Sequence, residues 1–476
     1  YNKFQLVDGY LKNTYYNHYV VVKLNTSNPL HYYWSVSYNK NEYDNQNLAL
    51  FKKNRYLYKN FITLRNISSL PLQIIEWKQD SIVVMYNGSA DQDVRICINE
   101  DQVYSGVLSQ YKNKKDVAIY KIPISGLASN TNKQLDIIIA DQKKTCMIPL
   151  IITEETSANE LVNLSSNTDV IIQKGGILTL NSAEINAQTW GNVTIYGGGK
   201  IIVGPECAFN ASSIIMRVGS VENNEYQAAY PQFILQGRLG TVPNFYIDYL
   251  TTYDRYYALS IPYEVNTTDI HYPIDIYGNN VTAENRGSFE FQYYDGAARA
   301  TGATGWKVVE EDATNGATLC AGQGYTFLGM PKKVNGTRQT FGIHRIPMKV
   351  SADEAMKHES EQQSVPLSVH LTDKNNYSGW NLIGNPYMAT ITGLTNEDIQ
   401  VGKLVHTYDA NGNWTGGWHW DEETIQENQR FLVIPSNDGL SYEAVQTSNA
   451  QLPAFKNFFV QISNKEANAL LIPNET

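Results

Sequence analysis

The sequence is poor in cysteine and in long apolar runs, and each shortage excludes a class of protein. Four cysteines among 476 residues are too few for a disulfide framework, and none has the Cys-x-x-Cys spacing of a zinc or redox site. Cys97 and Cys146 lie in neighbouring strand-like segments and could pair, but four free thiols are the expectation. No run of roughly 18 apolar residues occurs, so we expect no membrane-spanning helix.

Positive charge is also scarce. Lysine and arginine together number 37 against 47 acidic residues, which gives a net charge of −10. An acidic chain repels a phosphate backbone, so nucleic acid is not an expected partner. Charged residues make up only 18% of the chain, whereas 33 residues are tyrosine. Tyrosine suits half-buried sheet faces and binding surfaces because its side chain is rigid and amphipathic.

Catalytic and cofactor-binding motifs are missing. The chain has no Gly-x-Ser-x-Gly elbow, no His-Glu-x-x-His helix and no phosphate-binding loop. Its eight histidines are scattered, and His344 and His419 are the most suggestive of them. A lone histidine in a strand is usually structural. We therefore expect no catalytic residue, no cofactor and no enzymatic activity.

What the sequence has in abundance is short strands. Runs of β-branched and aromatic residues alternate with Asn, Gly, Asp and Ser clusters along most of the chain. Seven such runs in residues 70–152 are typical of an immunoglobulin-like or fibronectin-like sandwich. Residues 1–69 are interpreted as a further β region, either a complete domain or part of a sandwich. The predicted fold class is all-β, with tandem sandwich domains around a short parallel β-solenoid.

The solenoid prediction rests on a repeat in residues 153–240. "VIIQKGGILTL" from Val170 and "VTIYGGGKIIV" from Val193 align without a gap, each with glycines between two apolar strands. "SIIMRVG" from Ser213 and "FILQGRLG" from Phe233 follow at a similar interval. A repeat of about 20 residues with glycine at the corners indicates stacked coils, which bury their apolar rows against one another.

Two further segments, residues 241–349 and 365–476, are predicted to be related sandwich modules. "YYALSIPYEV" and "GWNLIGNPYMA" each place an apolar strand before Pro-Tyr. Each is followed by Tyr-Asp, by a tryptophan the same distance after that aspartate, and by a late aromatic strand. Between the modules, residues 350–364 form a charged linker or a short helix, where Ser351 and Glu354 match a capping box.

These segments resemble a known group of proteins. "YYALSIPYEVNTTDI", "YYDGAARATGATGWKVVEE", "LCAGQGYTF", "HRIPM" and "GWNLIGNPY" are similar to stretches of large secreted and cell-surface, adhesin-like proteins of Bacteroidetes. In those proteins a comparable Gly-Gly solenoid stretch precedes the Pro-Tyr module. The resemblance extends from about Thr168 to Ile462. It implies an extracellular or outer-surface location and a role in adhesion, and it provides no catalytic residues to carry over.

The densest candidate binding signal is "NWTGGWHW". Trp414, Trp418, His419 and Trp420 are the candidate ligand-binding residues, because flat exposed indoles stack on sugar rings or contact protein partners. The alternative is that Trp418 and Trp420 belong to the core, as Trp306 would in the first module. Just before them, Asp409, Asn411 and Asn413 have the alternating oxygens of a weak Ca²⁺ candidate. Asn411-Gly412 is also a hairpin signal, which we favour.

Three hypotheses about function follow. The first is a non-catalytic surface or secreted protein that mediates attachment or display, with a host matrix protein or a glycan as partner. The second is a carbohydrate-binding component of a glycan-utilisation system, and the third is a glycan-active enzyme built on a β-helix. The chain begins at Tyr1 rather than Met, as a processed or trimmed protein would. The sequence leaves the oligomeric state open.

Overall fold

The computed structural model describes residues 4–7, 10–13, 18–24, 32–37, 72–86, 92–108, 119–140, 142–161, 165–222, 225–242, 244–252, 255–273, 288–312, 315–330, 333–334, 337–338, 341–373, 375–395, 397–421, 427–436 and 441–474. The protein is mostly β, with many antiparallel sheets and with parallel pairing, which confirms the all-β prediction at that level. No helix in the described part of the chain has the length and apolar character needed to cross a bilayer.

The chain divides into two compact units. The described part of the first, residues 1–70 with 334–336, is a four-stranded antiparallel meander in the order β1-β2-β3-β4. Its strands are β1 Phe4–Val7, β2 Tyr10–Asn13, β3 His18–Leu24 and β4 Tyr32–Ser37. The rest of the predicted 1–69 region lies outside the described residues.

The second unit opens with two antiparallel sheets that share one apolar core. The first sheet contains β5 Gln73–Trp77, β6 Ser81–Met85 and β9 Ile119–Pro123, and the second contains β7 Asp93–Ile98, β8 Asp101–Val107, β10 Gln134–Ile139 and β11 Gln142–Met147. The run "TCMIPLII", one of the seven strand-like runs in residues 70–152, is not one strand, because β11 ends at Met147 and the second half of the run joins another sheet. Cys97 on β7 and Cys146 on β11 are free thiols on strands that β10 separates.

Two sheets of parallel strands follow. The first contains β12 Leu150–Ile152, β14 Val170–Ile172, β16 Thr189–Tyr196, β18 Ala208–Val218 and β23 Phe245–Thr252; the second contains β13 Glu155–Ser157, β15 Ile177–Leu180, β17 Lys200–Val203 and β21 Gln232–Leu235. Val170 lies beside Val193, and Val193 beside Ile214, which is the register that the sequence alignment predicts. Gly175 and Gly198 have positive φ, and a backbone hydrogen bond of 3.0 Å joins them, so the glycine corners also stack.

The described residues also form smaller strand pairs. They are β19 Ser220–Glu222 with β20 Glu225–Gln227, β22 Arg238–Leu239 with β18, and β30 Lys333–Val334 with β31 Thr337–Arg338. The last strand of the first parallel sheet is β32 Phe341–Met348, which pairs antiparallel with β23. The first Pro-Tyr module is therefore inserted between two neighbouring strands. Both ends of the predicted 241–349 module belong to the parallel sheet and not to a sandwich of their own.

Each Pro-Tyr module contains a four-stranded antiparallel sheet. In the first, the order is β24 Tyr257–Ser260, β29 Gly324–Met330, β26 Ser288–Tyr294 and β27 Trp306–Val308, and β25 Val265–Asn266 pairs with β28 Thr318–Leu319 nearby. In the second, the order is β34 Trp380–Gly384, β40 Asn457–Gln461, β38 Phe431–Pro435 and β39 Tyr442–Gln446. In both sheets the strand before Pro-Tyr is at one edge and pairs with the late aromatic strand, which supports the predicted relationship.

The Tyr-Asp and tryptophan segments do not correspond, contrary to the sequence alignment. Tyr294 and Trp306 pair across β26 and β27 within the four-stranded sheet of the first module. Tyr408 and Trp420 instead lie on the two strands of a hairpin in another sheet, which contains β33 Gln363–Pro366, β35 Gln400–Tyr408, β36 Trp414–Asp421, β37 Glu427–Asn428 and β41 Ala469–Ile472. Trp306 is also only half-buried, at the edge of aromatic rings that surround Phe459, so its predicted core position is wrong.

Two helices complete the described fold, α1 Gly296–Ala300 and α2 Ala352–Ser360. The Ser351 side chain caps α2 and the Glu354 side chain returns to the Ser351 backbone, so the predicted capping box is present. The buried carboxylate of Glu359 on α2 accepts hydrogen bonds from the Tyr263 hydroxyl, at 2.9 Å, and from the Met388 backbone N–H, at 3.2 Å. One carboxylate thus connects the Pro-Tyr segments of both modules.

A buried charge ladder crosses the parallel sheet. Asp248 on β23 lies between Arg217 on β18 and Arg345 on β32, each directly opposite it in register. Arg345 donates to both carboxylate oxygens, at 2.7 and 2.9 Å, and Arg217 donates at 3.1 Å. Burial alone would raise the pKa of Asp248, but the two guanidinium groups outweigh it and lower that pKa. All three side chains are buried.

Candidate binding site on an aromatic hairpin

The candidate tryptophans lie on the hairpin of β35 and β36. The five-residue connection contains Asn411-Gly412, and Gly412 has a φ of +80°, as a turn glycine can adopt. Asp409 Oδ1 accepts the backbone N–H groups of Asn411, at 2.8 Å, and of Asn413, at 2.9 Å. These bonds hold the pKa of Asp409 below its usual value. The carboxylate therefore organises the turn, which favours the hairpin interpretation over the Ca²⁺ one.

Four aromatic rings gather on one face of this hairpin. His406 lies opposite Trp418, and Tyr408 lies opposite Trp414, with a register shift between the two pairs. The His406 ring is the centre of the group: its centroid is 3.9 Å from that of Trp418, 4.9 Å from that of Trp414 and 6.2 Å from that of Tyr408. We call His406, Tyr408, Trp414 and Trp418 the aromatic face.

Three of these rings are open to solvent. Tyr408 is 60% exposed, Trp414 is 53% exposed and Trp418 is 52% exposed. The core alternative for Trp418 is therefore wrong. Side chains of alternate strand residues point the same way, and these three rings lie on a side of the hairpin that is open to solvent. Contiguous exposed rings are unusual on a protein surface unless they bind something.

The remaining two predicted residues lie elsewhere. His419 belongs to the opposite face, where its Nδ1 is 3.0 Å from the Thr407 hydroxyl. Trp420 is opposite Leu404, further from the turn, and is half-buried. The structure therefore brings together Trp414 and Trp418 but not His419, and it adds two residues that the sequence interpretation missed. The sequence signal that could have identified them is the spacing of His406 and Tyr408 in "VHTYD", two residues apart and therefore on one face of a strand.

The indoles are held in place by the hairpin itself. Trp414 Nε1 donates to the Gly417 carbonyl oxygen at 3.1 Å, and Trp418 packs edge-on against His406. Thr415 Oγ1 donates to the Thr407 carbonyl oxygen at 2.9 Å, which ties the two strands together beside the register shift. Rings that are fixed before a ligand arrives lose little conformational freedom on binding.

The other suggestive histidine is structural. His344 is fully buried, and its ring contacts those of Tyr272, Phe289 and Phe327. Among the described residues, no group of three or more His, Cys, Asp or Glu side chains is arranged to hold a metal ion. No protein-family model matches the chain, and no curated protein is similar to it.

Proposed function

We propose that this chain is a non-catalytic protein of the cell surface or the extracellular space that mediates attachment, with the aromatic face as its binding surface. The aromatic face carries the proposal because three rings are exposed together on one side of a hairpin. Aromatic side chains supply most of the binding energy at many recognition sites. The resemblance to adhesin-like proteins of Bacteroidetes agrees with this role, and a glycan or a host matrix protein is the proposed partner.

The proposed architecture suits a scaffold for display. We interpret the two parallel sheets as a short β-solenoid, which the in-register pairs Val170–Val193 and Val193–Ile214 support. The two-sheet region before it is interpreted as an immunoglobulin-like sandwich, and the two Pro-Tyr modules as products of a duplication. Stacked coils bury their apolar rows against their neighbours, which would give such a scaffold rigidity.

The experiment is a binding panel of glycans and host matrix proteins, with three variants of the full chain. Trp414→Ala and Trp418→Ala each remove one exposed indole. Phe431→Ala is the matched control, because Phe431 is 58% exposed on β38, outside the hairpin. We expect a selective partner whose binding both tryptophan variants weaken and the control retains. Equal binding by all three variants would remove the aromatic face from the proposal.

A carbohydrate-binding component of a glycan-utilisation system is the second candidate. It is favoured by the same two indoles, since flat aromatic faces stack on sugar rings. The panel distinguishes the two: binding confined to glycans favours this candidate, and binding to a matrix protein favours attachment to a host.

A further inference from the structure

The angle between the two exposed indoles restricts what can stack on them. The Trp414 and Trp418 planes are inclined at 74°, with centroids 6.4 Å apart. Only coplanar rings can lie flat together on a planar surface. At most one of these indoles can therefore stack on a flat crystalline face, and a ligand that uses both must present two faces in different directions.

The hairpin resists any rearrangement that would flatten the pair. Turning the Trp414 ring would break its bond to the Gly417 carbonyl oxygen, and turning the Trp418 ring would separate it from His406. Losing a hydrogen bond or an aromatic contact costs free energy, and a weak stacking interaction would have to exceed that cost. The inclined arrangement is therefore the one that a ligand meets.

The charge around the aromatic face restricts the ligand further. Residues 400–421 contain one lysine and no arginine, and Lys403 lies opposite Asp421 at the end of the hairpin away from the turn. Beside the exposed rings, the turn offers the carboxylate of Asp409 and the amides of Asn411 and Asn413. An anionic ligand at the turn would meet the carboxylate of Asp409, and the one lysine of residues 400–421 lies at the far end of the hairpin. Amide groups instead suit uncharged hydroxyls.

From these observations we infer that the aromatic face binds uncharged glycans as separate, solvated chains. Neither crystalline polysaccharide surfaces nor acidic glycans fit it. A separate chain can place successive sugar rings against two inclined indoles, because rotation about its glycosidic bonds turns one ring relative to the next. The inference rests on the proposed function, in that it takes the aromatic face to be the binding surface.

The test uses the full chain, the variants Trp414→Ala and Trp418→Ala, and the controls His419→Ala and Phe431→Ala. Native gels containing barley β-glucan, xyloglucan, galactomannan, yeast mannan or dextran measure binding to soluble neutral chains. Gels containing heparin or hyaluronan measure binding to acidic chains, and sedimentation with microcrystalline cellulose or chitin measures binding to flat surfaces. We expect retardation by at least one neutral polysaccharide, weakened roughly tenfold or more in the tryptophan variants. His419→Ala keeps all four rings of the aromatic face and changes the opposite face of the same hairpin, so it controls for loss of the hairpin.

The outcomes separate this inference from the proposed function. Tryptophan-dependent sedimentation with cellulose or chitin, or tryptophan-dependent retardation by heparin, would overturn the inference while keeping the aromatic face as a glycan site. Tryptophan-dependent binding to a matrix protein alone would overturn the inference and keep an attachment role. Absence of any tryptophan-dependent binding would overturn both.

Discussion

Replacing Asp248 by asparagine should be among the most damaging single changes in the second unit. The substitution keeps the shape of the side chain but removes the negative charge between Arg217 and Arg345, which are themselves buried. Breaking a buried ion pair typically costs 3–5 kcal/mol, because the remaining charge has no compensation. Here two guanidinium groups lose one shared partner. If the second unit of about 400 residues unfolds cooperatively, the loss corresponds to a decrease in Tm of roughly 4–6 °C.

The matched control is Asp269→Asn. Asp269 pairs with Lys349 at 2.8 Å, but the lysine is largely exposed, and such surface pairs contribute at most about 1 kcal/mol. Scanning calorimetry of the wild type and both variants resolves the transitions that a chain with several domains can have. If Asp248→Asn lowered Tm no more than Asp269→Asn, the assignment of a strong stabilising role to the ladder would be refuted.

The pH dependence of stability gives a second observable for the same residue. The pKa of Asp248 is lowered in the folded protein, so its contribution is present above the ordinary value of 3.8 and is lost as the pH falls through the folded value. The free energy of unfolding of the wild type should therefore fall steeply below about pH 4. In Asp248→Asn the part of this fall that comes from protonation of Asp248 should be missing. Parallel acid profiles for the two proteins would contradict the expectation.

The remaining predictions concern the backbone, a helix cap and the thiols. Gly379 has a positive φ, and a Cβ added there would clash with a backbone oxygen, whereas Gly393 has a positive φ but open space around it. Gly379→Ala should therefore lower Tm more than Gly393→Ala. Equal decreases in Tm would contradict this prediction. Ser351→Ala should lower the free energy of unfolding by about 1 kcal/mol, measured by thermal scans, because it removes the cap of α2. An unchanged free energy of unfolding would contradict a stabilising role for this cap. Cys320 is exposed and should react with Ellman's reagent in the native protein, whereas Cys207 should react only after unfolding, because burial shields its thiol and raises its pKa. Native labelling of Cys207 would oppose the structure.

The individual strands were predictable because residues close together in the sequence indicate where a strand begins and ends. "QLDIII" is rich in β-branched residues and follows the turn-type cluster "SNTNK", so the sequence predicts β10 directly. The gap-free alignment of Val170 with Val193 gives the register of parallel neighbours. Ser351 and Glu354 likewise indicated the start of α2. Each of these features depends on residues a few positions apart or on a repeat.

Pairing between distant segments was not predictable in the same way. The two Tyr-Asp segments look alike because a hairpin imposes similar spacing wherever it occurs, but tertiary contacts assign β26 and β35 to different sheets. Because successive side chains of a strand point to opposite faces, the sequence indicates which residues of β36 share a face. It does not indicate whether other parts of the protein cover that face. For the same reason the sequence identified Trp414 and Trp418 and missed His406, whose place beside them depends on the partner strand.

The position of β32 has a consequence for the order in which the chain can fold. Phe245 pairs with Met348, and the whole first Pro-Tyr module lies between them in the sequence. Until that module has been synthesised, the outer edge of β23 has no neighbour and presents unpaired backbone groups that can recruit other chains. Completion of the sheet must then wait for a contact of long sequence separation, which is slow to form. A nascent or truncated chain ending near Thr252 should accordingly aggregate more readily than one that extends beyond Met348.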